Sequence, residues 1–320
     1  MSWFSLKRSL CIFAVLAVAA WCFIPPANPS ELRGHKGAVR GCALVAGASQ
    51  LATACDDGVL RLWSTSGRLL GQLVGHSKGL TTVRPSPSQE EVATGSADGM
   101  IKFWNLARKV EARTVRAHKG SVRALCYHPD GSRIASVGSD GFIRVWDVKN
   151  GKKLKQIKAE LKDLQCVTLS PKGNLIAAGD DANRIHVWRL DSDESLSELE
   201  GHTKPVQALA FNADGTRLAS GGQDHMIRLW NVRTKTEERS MKGHWGTVNA
   251  VVFDASGTRL VSASSDWTIR IWDVATGKEL KRFKDHPSQV LCVDCDFEKG
   301  LMVSGGYGPS AKLWRGLSID

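Results

Sequence analysis

Six times along this chain a histidine is followed 28 residues later by a tryptophan: His35 and Trp63, His76 and Trp104, His118 and Trp146, His202 and Trp230, His244 and Trp272, and His286 and Trp314. A fixed interval of that kind arises from a repeated unit. With Trp188 counted between Trp146 and Trp230, successive tryptophans lie 41 or 42 residues apart, which makes seven units. Periods of a few tens of residues belong to solenoids, propellers or arrays. Inside each unit the apolar runs are short and β-branched, such as Ile-Arg-Val-Trp at 143–146 and Ile-Arg-Leu-Trp at 227–230, and Asp-Gly, Ser-Pro and Gly-Ser pairs separate them. The pattern predicts four short strands per unit and no helical period.

Gly-His opens most units, as in Gly34-His35, Gly75-His76, Gly201-His202 and Gly243-His244. Trp-Asp or Trp-Asn closes several: Trp146-Asp147, Trp272-Asp273, Trp104-Asn105 and Trp230-Asn231. On these residues the chain resembles the WD40 repeat (β-transducin-like) family, from Glu31 to Trp314. The resemblance implies a tetrad of histidine, Ser/Thr, turn aspartate and strand tryptophan, hydrogen-bonded inside one blade. The register gives His35-Thr53-Asp57-Trp63, His76-Thr94-Asp98-Trp104, His118-Ser136-Asp140-Trp146, His202-Ser220-Asp224-Trp230 and His244-Ser262-Asp266-Trp272. A buried indole N–H, imidazole and carboxylate each need a partner, and such a set supplies all three. The same residue types make a hydrolytic triad, but five copies at one spacing, each with a tryptophan attached, argue for a structural role.

Two units depart from the pattern. In the fourth, Glu160 stands in place of histidine and Ala178 in place of Ser/Thr, and Asp181 is one residue out of register with Trp188. In the seventh, Asp285-His286 replaces Gly-His and Gly308 takes the aspartate position, while Ser304 and Trp314 remain. The expected fold is all-β, a seven-bladed WD40 propeller of four-stranded sheets round a central channel. The chain runs only six residues past Trp314, so residues 30–33, Ser-Glu-Leu-Arg, are expected to supply the outer strand of blade seven and close the ring. A 42% apolar content over 320 residues is enough to bury one large core.

Ahead of the repeats the sequence changes character. After Lys7-Arg8, residues 9–24 carry no charge and are rich in Leu, Ala, Val, Phe and Ile; Pro25-Pro26 ends the run, and the first acidic residue is Glu31. These are the parts of a secretory signal. As a short hydrophobic helix of sixteen residues it would span about 24 Å, less than the roughly 30 Å hydrocarbon core, with Trp21 and Phe23 suited to an interfacial belt. Residues 1–26 therefore read as a signal peptide or a signal anchor, and 27–320 as the propeller. Lys7-Arg8 on the cytoplasmic side would put the propeller outside the cytoplasm, membrane-anchored or secreted. Lipid attachment at Cys22 is disfavoured by the bulk of Trp21.

Six cysteines fall in the repeats, at 42, 55, 126, 166, 292 and 295, where sister units carry Ala, Leu, Val, Ser or Phe, and they read as small buried hydrophobes. Cys292-Val-Asp-Cys295 has a metal-like spacing but lies on a predicted strand without a second pair. His128, His186 and His225 are scattered outside the repeat. No metal, cofactor or disulfide is expected.

Function is therefore sought in what differs between units. The resemblance implies a rigid platform for proteins or peptides, with recognition on the face of the Gly-His loops and Asp turns. Here those loops carry Lys36, Lys78, Lys119 and Lys204, and the fifth position after histidine carries Arg40, Arg123, Gln207 and Asn249. Of eleven tryptophans, only Trp245 and Trp267 are neither N-terminal nor the repeat tryptophan, and both belong to the sixth unit. Together these ten residues are the expected partner-binding set. Four lysines and two arginines around one rim suit an acidic or phosphorylated protein or peptide; a small anionic ligand at the channel mouth is the alternative. The chain offers no recognition helix or stacking array for nucleic acid. It offers no unrepeated cluster of His, Glu, Asp or Cys for catalysis either, so a propeller enzyme is disfavoured. The propeller is expected to be monomeric, touching a membrane only through its N-terminal segment.

Overall fold

The computed structural model of the protein describes residues 29–158, 163–192 and 194–317. The segment read as a signal or anchor helix, residues 1–26, and Glu160 lie outside the described residues. Within them the chain forms 28 β-strands and no helix, arranged as seven four-stranded antiparallel sheets. Blade 1 is typical: Val39–Val45, Gln50–Cys55, Val59–Ser64 and Leu69–Val74 pair in chain order. The first strands of neighbouring blades lie side by side round the central channel, that of blade 7 (Val290–Asp296) against that of blade 1.

The core lies between blades. Each middle strand is covered on both faces, so Gln50–Cys55 is buried at every position after its first, and the same holds for Arg133–Gly138 and Arg259–Ser264. That double burial explains why these strands read as continuous small and apolar runs rather than as alternation. Leu60 and Leu62 of blade 1 share one buried cluster with Leu80, Val83 and Trp104 of blade 2. Near the channel the sheets converge, and a Cβ on Gly41 would sit 2.9 Å from the Val83 nitrogen, so only glycine fits there. Outer strands face water on one side, and Val110–Arg116 is mostly exposed.

As the sequence led us to expect, Ser30–Arg33 closes the ring. It pairs antiparallel with Ser310–Arg315, placing Leu32 opposite Ala311. Leu32 is fully buried in a cluster that holds Val303, Ala311 and Leu313 of blade 7 and Val39, Leu51 and Trp63 of blade 1. Arg315 adds a polar clasp, donating to the Ser30 hydroxyl at 2.8 Å and to the Thr65 carbonyl at 2.7 Å. Leu32→Ala is expected to lower the urea unfolding free energy by about 2–5 kcal/mol through the cavity it leaves, and exposed Arg33→Ala to change it by no more than about 0.5 kcal/mol. Equal effects of the two would deny the closure its role.

Candidate interaction site

The loop face is built on the tetrads. In blades 2, 3, 5 and 6 the histidine Nδ1 meets the turn aspartate: His76 and Asp98 at 2.9 Å, His118 and Asp140 at 2.7 Å, His202 and Asp224 at 2.9 Å, His244 and Asp266 at 2.7 Å. An ionised carboxylate only accepts, so Nδ1 carries the proton. Nε2 must then accept from the Ser/Thr hydroxyl, at 2.7 to 2.9 Å, and that oxygen accepts the indole N–H of Trp104, Trp146, Trp230 or Trp272 at 2.8 to 2.9 Å. The chain of bonds satisfies every buried polar atom in it, and burial keeps His76, His118 and His244 below the ordinary histidine pKa, hence neutral.

The same carboxylate fixes two loops. It accepts the backbone N–H of the residue after histidine: Lys36 at 3.0 Å, Ser77 at 3.0 Å, Lys119 at 3.1 Å, Thr203 at 3.1 Å and Trp245 at 3.3 Å. It also accepts the N–H two residues beyond itself, from Val59, Met100, Met226 and Thr268, which closes an Asx turn. The residue inside that turn is left-handed. Gly58, Gly99 and Gly141 hold it in blades 1 to 3, and a Cβ on Gly99 would collide with the His118 carbonyl oxygen. In blade 6 the position is Trp267, at φ 71°. A bulky side chain there is a true conformational outlier, of the kind that concentrates at functional sites.

Trp245 and Trp267 are 67% and 50% exposed, so both indoles of blade 6 stand in solvent on the loop face. Lys36, Lys78, Lys119 and Lys204 are exposed on the same loops. The fifth residue after histidine is a bulge residue in six blades, since register slips between Val39 and Gly41, Leu80 and Thr82, Val122 and Ala124, Val206 and Ala208, Val248 and Ala250, and Val290 and Cys292. A bulge re-aims its side chain out of the ladder. Arg40, Thr81, Arg123, Gln207, Asn249 and Leu291 accordingly line the channel, a cavity of about 700 Å³.

Not all of them are free to bind. Asn249 spans two blades, its amide donating to the Val290 carbonyl at 2.7 Å and to Ser265 at 3.0 Å, as Thr81 does to the Val122 carbonyl at 2.6 Å. Arg40 pairs with Asp56 at 2.5 Å and lies over the ring of Tyr307, itself 52% exposed, and Arg123 approaches Asp163 at 3.6 Å. Sequence reasoning passed over Tyr307, and also Arg84 and Asp294, which line the channel three residues further along their strands. Their signal was available: at that position the sister blades carry Ala43, Cys126, Ala210 and Val252, so charge there breaks the repeat.

Three tetrads are incomplete, those of blades 4 and 7 as their sequences imply. In blade 1, Asp57 is taken by both terminal nitrogens of Arg61, at 3.1 and 2.7 Å, and His35 Nδ1 is buried without a hydrogen bond. In blade 7 only His286, Ser304 and Trp314 remain, bonded at 2.7 and 2.9 Å. In blade 4, Asp180 rather than Asp181 turns inward, bonding His186 at 2.9 Å, and His186 stacks on Trp188 with ring centroids 5.6 Å apart. His186 thus stands opposite Ala178, at the position where sister blades carry Arg144, Arg228 and Arg270, and is no stray histidine. The cysteines are free thiols among the described residues, and burial raises those of Cys42, Cys166 and Cys295, which makes them poor nucleophiles.

Comparison with known families agrees with this geometry. The family model described as the Echinoderm microtubule-associated protein second beta-propeller matches residues 122–298, more than half of the chain, and that of the WD domain, G-beta repeat, matches 28–64 and 67–105. The chain belongs to the WD40-repeat β-propeller family. Over 63 residues, 19% of this WD40 chain, it is 41% identical to DDB1- and CUL4-associated factor 13 of Dictyostelium discoideum. Over 107 residues, 33% of the chain, it is 30% identical to Eukaryotic translation initiation factor 3 subunit I of Aspergillus fumigatus, and over 76 residues, 24%, it is 33% identical to Pre-mRNA-processing factor 19 of Bos taurus. These matches span 14, 31 and 15% of the relatives' own lengths.

The incomplete tetrads give the propeller a pH signature. Burial, with Arg61 beside His35 and Lys312 beside His286, pushes both imidazoles down to about 4. Their folded pKa lies below the unfolded value near 6.5, so unfolding takes up protons and stability falls as pH drops from about 6.5 through 4. His286→Gln is expected to make the unfolding free energy less steep against pH in that window, by up to about 1.4 kcal/mol per pH unit. An unchanged slope in urea titrations would contradict the assignment.

Proposed function

We propose that this propeller is a protein-interaction scaffold that binds an acidic or phosphorylated segment of a partner on its loop face, with Trp245 and Trp267 as apolar anchors and the loop lysines as the attracting rim. The observation that carries the reading is Trp267, a half-exposed indole held left-handed where blades 1 to 3 use glycine. Tryptophan is over-represented among the few residues that carry most of the binding energy at interfaces. The relatives' names support the reading in general terms, one being a subunit and another an associated factor.

Residues 1–26 are, in this proposal, a signal peptide or anchor ahead of the propeller at 27–320, which works outside the cytoplasm. The charge and hydropathy pattern of that segment support the placement. Fractionation of the full chain, with N-terminal sequencing and protease access in sealed vesicles, tests it: a protease-accessible propeller in the cytosol would overturn it.

For the partner, crosslinking capture by the full chain is expected to depend on blade 6. Trp245→Ala and Trp267→Ala should each weaken the captured complex by about 10- to 30-fold, a hot-spot loss of about 2 kcal/mol. Raising salt should weaken it further. Undiminished capture by the double variant would sink the reading. A second reading, a receptor for a small anion, rests on the channel, where Arg40, Arg84 and Arg123 face one cavity; competition by free phosphate but not by short acidic peptides would favour it.

A further inference from the structure

Blade 3 breaks a charge rule that three sister blades keep. The residue opposite the repeat tryptophan on the outer strand is Glu111 in blade 2, Glu237 in blade 5 and Glu279 in blade 6. Each of these carboxylates pairs at 2.6 Å with the cation two residues before that tryptophan: Lys102, Arg228 and Arg270. In blade 3 the cation is Arg144, and the residue opposite Trp146 is Lys153. An ammonium stands where a carboxylate is expected.

What is left beside Trp146 is a notch of about 360 Å³, lined by Arg116, Ala117, His118, Lys119, Arg144 and Lys153. Arg144 is buried and satisfied from within, its guanidinium 2.8 Å from Asp140. Gln156 takes the place of the missing carboxylate as acceptor, at 3.1 Å from Arg144 and 2.8 Å from Lys153, but brings no charge. Among the described residues no carboxylate lies within ion-pair distance of Arg116, Lys119 or Lys153, so three positive charges share one concave site. Like charges held together this way repel unless an anion joins them, and a phosphate monoester supplies nearly two negative charges and three acceptor oxygens.

We infer that the blade 3 notch is a binding site for a phosphate monoester on a polypeptide, its oxygens facing the side chains of Arg116, Lys119 and Lys153. The inference deepens the proposed function, resting on it only for the statement that the partner is a polypeptide. It assigns the phosphoryl group to the blade's outer edge, apart from the channel arginines.

Lys153→Glu tests it, because blades 2, 5 and 6 already fold with glutamate at that position. Binding of a phosphoserine tripeptide and of inorganic phosphate is followed by calorimetry and by the Trp146 indole resonance at near-physiological salt. The full chain should bind the tripeptide, and more tightly than inorganic phosphate. Lys153→Glu should weaken it at least tenfold with an unchanged circular dichroism spectrum, and Lys172→Ala, at an exposed turn of blade 4, should not weaken it. Equal affinity for inorganic phosphate, displacement by chloride alone, binding confined to anionic phospholipid vesicles, or indifference to Lys153→Glu would each overturn the inference. Loss of partner capture in the Trp245 variant with tripeptide binding intact would instead separate this site from the apolar anchor.

Discussion

In blades 2, 5 and 6 one carboxylate does three jobs. It orients the histidine ring, it holds the main chain of the residue after that histidine, and it closes the turn in which it sits. In blade 6 a single aspartate, Asp266, is bonded to His244, to the Trp245 N–H and to the Thr268 N–H. The inner end of that network is the Ser262 hydroxyl and the Trp272 indole, deep between sheets. A buried polar chain of this sort is costly when incomplete and rigid when satisfied. Loop positions on the outside are thereby referred to the core of the blade.

The rest of the loop face follows from that reference. Loops held by main-chain bonds leave their side chains at liberty, so Lys36, Lys119 and Trp245 vary while their backbones repeat. The inner-strand bulge does the same for the channel, since it turns one residue per blade out of the ladder. Repetition builds the frame, and departures from repetition set the local chemistry: indoles in blade 6, Arg84 and Asp294 in the channel, a lysine for a glutamate in blade 3.

The blade count, the closing strand and four complete tetrads were legible in the sequence because each depends on spacing, and spacing survives in one dimension. Leu32 could be matched to the outer strands of other units by pattern alone. Contacts that depend on which of two neighbours turns inward were not legible. Asp180 and Asp181 are adjacent and chemically identical, and only the fold selects Asp180 for His186. Arg61 competing for Asp57 was equally invisible, since blades 3, 5 and 6 carry an arginine at the same position and still leave the histidine its aspartate. Exposure of Trp245 and Trp267 depends on loop packing, which no periodicity reports.

The tetrad aspartate of blade 6 holds the Trp245 loop in place. Amide hydrogen exchange of the Trp245 N–H in the full chain, compared with that in Asp266→Ala, tests it most directly. The Trp245 amide is expected to exchange slowly in the native protein and markedly faster in the variant, with exchange in the other blades unaltered. A Trp245 amide that exchanges equally fast in both proteins would contradict it.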